Sequence, residues 1–284
     1  MLHFYNIFHH VFSGCWGEGP FLSAYIYIAK MKMLTSMAYR FDFFTSFLTQ
    51  AVLMVSWVFL WKAAFATQDV VGGVTESEML QYAIVSMLLS TFYQRGVQNT
   101  INNKVREGEV AVDLFHPISV LGTYLAQDIG AAVNSFFILS LPLALISVFL
   151  LNIPLAVGGG TFLLFLACCL LSFAIQWILS ALIGIISFWL VELGNLGLAK
   201  DAVVAILSGS IVPLWFFPES IQNISRFLPF KYIFQAPISI FVGKMPADEL
   251  IPTFVIQAVW VLAFSLILMF AWGKAKKKVV IQGG

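Results

Sequence analysis

Between Thr161 and Leu190 the chain runs for thirty residues without one charged side chain. A helix rises 1.5 Å per residue, so roughly 20 such residues cross the ~30 Å hydrocarbon core of a bilayer. The run is therefore long enough to span and too apolar to sit comfortably in water. It is not isolated. Phe41–Trp61, Met79–Gln98, Leu121–Leu150, Leu198–Pro213 and Leu250–Trp272 are read as further spans, which makes six. Only 10% of the chain is charged, against about a quarter in soluble domains, and 60% is hydrophobic. The fold class expected is an all-α integral membrane protein with six transmembrane helices.

The second constraint is Ser208–Lys244, which is apolar and rich in aromatics yet cannot form one helix. Pro213, Pro218, Pro229 and Pro237 each remove a backbone donor and clash with the preceding turn. Broken backbone at membrane depth is tolerated only where protein covers it or water reaches it. Two readings follow: a re-entrant helical segment (214–248) that dips into the outer leaflet between the fifth and sixth spans, or an extramembrane loop with surface aromatics.

The order Ser208-Gly209, Pro213-Leu214, Phe217-Pro218, Leu228-Pro229-Phe230, Tyr232, Pro237 and Gly243-Lys244 resembles the re-entrant segment of ABC-2 type transporter permeases. These are membrane subunits of ATP-driven exporters. Ala38–Phe44 resembles the start of the first span in the same family. Arg106-Glu107-Gly108-Glu109 and Asp113 to Pro117 resemble its cytoplasmic coupling loop. The resemblance covers residues 21–278 and independently implies six spans with both termini inside.

Met1–Pro20 lacks the basic start, continuous apolar run and small-residue site of a cleavable signal, and is expected to be a cytoplasmic extension (1–20). Residues 21–39 mix aromatics and Met with Lys30 and Lys32, which suits a helix lying in the membrane interface. Composition alone allows a plain surface anchor or an elbow that holds a cytoplasmic partner; the family resemblance implies the elbow. Residues 279–284 form a short tail.

With both termini in the cytoplasm, Lys30, Lys32, Arg40, Arg95, Lys104, Arg106, Lys200 and the four lysines at 274 and 276–278 lie inside, eleven of fifteen basic residues. Lys62, Arg226, Lys231 and Lys244 fall outside. The inverted topology would reverse that bias, against the positive-inside rule. Asp128 is expected at headgroup level near the inner end of the third span, and Pro142 is expected to kink that span.

The interior stretch 99–119 is the most polar between spans. Arg106, Glu107, Gly108 and Glu109 read as a turn, and Val110, Val112 and Leu114 as a short amphipathic piece that Pro117 stops. Such a piece can dock on a partner or simply connect two spans. The resemblance implies docking, with Arg106, Glu107, Gly108, Glu109, Asp113 and Leu114 coupling this chain to a separate ATPase subunit. It also implies two copies of that ATPase, and a second permease subunit, identical or related.

No nucleotide site is legible. A P-loop requires GxxxxGK[ST], and Gly158-Gly159-Gly160 is followed by Thr161-Phe162-Leu163. ATP and Mg would be bound by the partner subunit, so no cofactor is assigned to this chain. Cys15, Cys168 and Cys169 and the histidines at 3, 9, 10 and 116 have no metal-ligand spacing, and no metal is expected. No nucleophile–base or paired-carboxylate pattern stands out, so the chain is not expected to be an enzyme.

Polar residues in spans face other helices or a pathway, which singles out Gln81, Ser86, Ser90, Gln94 and Ser208. Pro213, Trp215, Phe216, Phe217, Pro218 and Phe230 would form an outer lid, though the same aromatics also suit interfacial anchoring. The function implied is export of a hydrophobic or amphipathic cargo, such as a drug, antibiotic, peptide or lipid-like molecule, across the cell membrane. Alternatives from other classes are an ion-coupled secondary transporter, which requires paired intramembrane charges, and a non-transporting immunity or scaffold protein.

Overall fold

The structure, a computed structural model, describes residues 20–38, 40–67, 70–93, 96–155, 157–190 and 193–279. The expected N-terminal extension and most of the C-terminal tail therefore lie outside the described residues. The described chain is all-α apart from one small hairpin. Helix α1 (Pro20–Ala38) is followed by α2 (Arg40–Phe65), and then by β1 (Val70–Val71) and β2 (Val74–Thr75), which pair antiparallel. Gly72 and Gly73 make the two-residue turn with φ of 60° and 78°, the left-handed pair such a turn demands.

Helix α3 (Glu76–Phe92) starts on a capping box. The Thr75 hydroxyl accepts from the Glu78 amide, and the Glu78 carboxylate accepts from the Thr75 amide at 2.9 Å. The chain then forms α4 (Gly96–Glu107), α5 (Val110–Leu114) and α6 (Val120–Ser135), and passes through a π turn at Phe136–Ser140 into α7 (Leu141–Phe149). The π turn lies just before Pro142, which occupies the first turn of α7. It carries Ser140 to within 2.6 Å of the Thr91 hydroxyl on α3.

Helices α8 (Gly159–Ile185) and α9 (Ser187–Leu190) nearly join, α10 (Leu196–Leu207) is short, and α13 (Ala247–Ala275) is the last long helix. Between α10 and α13 the broken segment runs through a 3-10 turn at Leu214–Phe216, α11 (Glu219–Ser225), a second 3-10 turn at Phe230–Tyr232 and α12 (Gln235–Phe241).

Among the described residues four helices are long and apolar enough to cross a membrane, over Phe44–Phe65, Val120–Phe149, Gly159–Leu190 and Ala247–Lys278. The second and fifth expected spans are corrected. Helix α3 stops at Phe92 rather than reaching Gln98, and α10 stops at Leu207 rather than Pro213. At twelve residues α10 is only about 18 Å long. It ends because Gly209 turns left-handed, with φ of 78°, and no side chain fits there: an added Cβ would meet the Tyr82 hydroxyl and the Gln235 amide.

Helix α8 is the hub, packed against α13, α4 and α12. Two apolar cores lie along it. One joins Met79, Tyr82, Phe165, Cys168 and Ile175 to Ile233, Phe234, Ile238 and Phe241 of the broken segment. The other joins Ile101 and Val110 to Tyr124, Trp177, Ile185 and Trp272. Cys168 and Cys169 are buried free thiols. The outward faces of α2 and α13 expose Phe44, Val52, Phe59, Val255, Leu262 and Phe270, surfaces suited to hydrocarbon rather than water.

Candidate coupling arm and outer lid

The polar stretch after α3 folds into an arm, α4 and α5, attached at both ends to one face of α6. The first amides of α4 have no intrahelical partner. Asp128 Oδ2 accepts from the Val97 amide at 3.0 Å and from Trp177 Nε1 at 2.9 Å. The carboxylate therefore caps α4 from a neighbouring helix, where the positive end of the helix dipole favours it. Gly96 lies so close to this carboxylate that a Cβ would overlap it. Asp128 was expected at headgroup level; its side chain is buried instead, because an amide and an indole N–H replace water.

The far end is held by Asp113. Lys104 Nζ lies 2.9 and 2.7 Å from its two oxygens, and the Tyr124 hydroxyl donates to Oδ2 at 2.6 Å. Tyr124 and Asp128 are four residues apart and so share one face of α6. Glu109 lies 4.0 Å from Lys104, and Arg106 pairs loosely with Glu107 at 3.9 Å. Gly108 makes the turn with φ of 76°.

Asp113 and Leu114 thus face inward, Asp113 onto Lys104 and Tyr124 and Leu114 onto the apolar core. Val110 is buried there as well. The surface of the arm is made instead by Val112, 60% exposed, and Phe115, 81% exposed, flanked by exposed Arg106, Glu107 and Glu109.

The broken segment is held differently. Gln235 Oε1 accepts from the Leu214 amide at 3.1 Å and lies 2.7 Å from the Tyr82 hydroxyl, while the Gln235 amide donates to the Ser208 carbonyl at 2.9 Å. Trp215 meets Tyr82 edge-on at 5.0 Å, and Phe216 stacks on Trp61 of α2 at 6.1 Å. Pro213 is buried, Phe217 and Phe230 are half-buried, and Pro218 is exposed. Deeper, Gln257 Nε2 donates to Ser172 Oγ and to the Tyr232 carbonyl, both at 3.0 Å, and so ties α13, α8 and the second 3-10 turn together.

At its end, Lys244 Nζ reaches Glu78 at 2.9 Å and the Gly73 carbonyl at 3.1 Å. Burial alone raises the Glu78 pKa, but the Thr75 amide and the Lys244 ammonium outweigh it and hold the carboxyl below its ordinary value.

Of the polar pathway candidates, Ser86 donates to the Ser210 carbonyl at 2.6 Å and Ser90 to the Ser86 carbonyl at 2.9 Å. Gln81 is half-buried on α3, and Ser208 is buried with no partner for its hydroxyl among the described residues. Gln94 lies outside the described residues. Among the described residues no three His, Cys, Asp or Glu side chains could hold a metal ion.

A family profile described as ABC-2 family transporter protein matches residues 51–283, most of the chain and both regions just described. The chain belongs to the ABC-2 transporter family. A search of curated proteins found no match. As an ABC-2 permease the chain is a multi-pass membrane transport component, not itself catalytic, and the family implies association with an ABC ATPase subunit.

Several residues of this ABC-2 permease were not singled out from sequence. Phe115 carried a signal, an aromatic before His116-Pro117 in a polar stretch. Gln235 and Tyr82 carried none, because their partners are over a hundred residues apart or are backbone atoms. Lys200, counted only as a cytoplasmic charge, is buried against Asp201 at 2.7 Å and donates to Ser180 Oγ at 3.1 Å.

Proposed function

We infer that this ABC-2 permease is one transmembrane subunit of an exporter whose ATP is bound and hydrolysed, with Mg, by two copies of a separate ATPase subunit. The observation that carries the reading is the arm: Asp113 is tied back to α6 through Tyr124, while Val112 and Phe115 stand exposed on the other side. An exposed aromatic beside a β-branched residue, rimmed by Arg106, Glu107 and Glu109, has the make-up of an interface anchor with a polar rim. Movement pressed on Phe115 would reach α6 through Asp113–Tyr124 and Asp128–Val97.

In this reading α3 and α10 complete six passes with both termini in the cytoplasm, and the broken segment re-enters the outer leaflet as a lid. Two permease subunits pair around the pathway, and the scarcity of charge in the spans suits a hydrophobic or amphipathic cargo. ATP can shift the permease only through a difference in affinity between two states, so ATP must favour the closed ATPase pair.

The test is co-purification of the chain with its ATPase subunit. Stable association that Phe115→Ala and Val112→Asp abolish, with the thermal midpoint of the permease unchanged, supports the arm as the docking site. Association indifferent to both substitutions would refute it.

A further inference from the structure

Helix α2, helix α3 and the turn after α10 enclose a cleft of about 180 Å³, with Gln50, Trp57, Trp61, Ser86, Ser90 and Ser210 among its walls. We propose that this cleft binds the head group of an uncharged, hydroxyl- or ester-bearing amphiphile, a monoacylglycerol-like molecule, whose tail lies along the exposed face of α2. The inference deepens the permease reading, on which it rests only in treating the occupant as cargo.

The lining dictates the class. It contains no Asp, Glu, Lys, Arg or His. A charged head group would lose its hydration there with no opposite charge to replace it. The walls are nevertheless polar in a complementary way. The half-buried Gln50 puts a side-chain amide, donor and acceptor, in the wall, and Trp61 Nε1 is buried without a partner among the described residues. Ser86, Ser90 and Ser210 spend their protons on the carbonyls of Ser210, Ser86 and Ala205, which leaves their oxygens as acceptors. A ligand offering both donors and acceptors, as hydroxyls and esters do, matches this set; a bare hydrocarbon chain does not.

Size fixes the rest. Sites that bury a whole drug-sized ligand hold roughly 300–1,000 Å³, so this cleft takes only a head group. Its rim continues into exposed Leu53 and Ile211 and, seven residues along the same side of α2, Leu60, apolar surface on which a tail can lie. Trp61 also stacks on Phe216 and Ser86 holds Ser210, so an occupant would touch the contacts that seat the broken segment.

The test uses the purified full chain in phosphatidylcholine nanodiscs, photolabelled by a diazirine-bearing monoacylglycerol or by the fatty acid carrying the same diazirine chain. Label is mapped by peptide mass spectrometry, with α13 as an internal reference for adventitious lipid contact. The expected result is saturable labelling of residues 50–61 and 86–90 by the monoacylglycerol, at least fivefold above the fatty acid. Gln50→Leu and, separately, the cleft-filling Ser90→Phe should each reduce it at least fivefold while α13 labelling stays constant. Equal labelling by both probes, or labelling indifferent to both variants, overturns the proposal. ATPase association is measured on the same preparations, so an empty cleft with intact association removes the ligand site and leaves the permease reading standing.

Discussion

The arm and the broken segment are both short helical pieces folded back on long helices, yet they are fastened by opposite chemistry. The arm hangs on two carboxylates, Asp128 and Asp113, that bind an amide, an indole, an ammonium and a phenol. The body of the broken segment uses neutral amides, hydroxyls and ring contacts centred on Gln235, Gln257 and Tyr82, with one ion pair, Lys244–Glu78, at its end. Buried neutral networks cost little desolvation when every partner is present, and lose heavily when one is removed. Charge-assisted contacts near water are individually strong but can be exchanged for hydration. In the proposed reading the inner contacts of the broken segment serve stability and the arm serves movement.

The largest effect should come from the neutral side. Gln235→Leu leaves the buried Leu214 amide without its acceptor and the Tyr82 hydroxyl with only the Gly209 carbonyl, and should cost about 2–3 kcal/mol, read as a lowered thermal midpoint in detergent. An unchanged midpoint would break the comparison. Next comes Asp128→Leu, which strips two donors and should cost about 1–3 kcal/mol, whereas Asp128→Asn keeps an acceptor oxygen and should recover most of that. Phe115→Ala should leave the midpoint where it is while lowering ATPase-coupled turnover about tenfold or more, the mark of an interface anchor.

The smallest effect is a pH dependence at Glu78. Its folded pKa is depressed, so its contribution is present above the ordinary carboxylate value of 4.5 and is lost as pH falls through the lower folded value. Glu78→Gln should flatten the acid limb of the midpoint–pH curve there, and an unaltered limb would remove Lys244 as a fastening.

What was legible in the chain follows the same division. Long apolar runs read correctly because a bilayer demands them, which gives four helices, while the π turn just before Pro142 carried no signal of its own. The end of α3 was overrun because no proline separates it from the next helix, which begins at Gly96, and that of α10 because Ile211 and Val212 keep the chain apolar up to Pro213. Gly209 stops α10 only in concert with Tyr82 and Gln235, distant residues whose proximity no local pattern records. In the arm the turn at Gly108 was readable from Arg-Glu-Gly-Glu, but not which side faces out. Asp113 and Leu114 looked free because Tyr124 and Lys104, which turn that side inward, belong to neighbouring helices.

The most direct test of the central claim is ATP hydrolysis by the reconstituted permease and ATPase pair, comparing Phe115→Ala, Asp113→Ala and the unaltered chain at matched folding. If the arm transmits force, Phe115→Ala abolishes the stimulation of hydrolysis by the permease, and Asp113→Ala preserves ATPase association but uncouples hydrolysis from cargo movement. Full, cargo-coupled hydrolysis in both variants would contradict it.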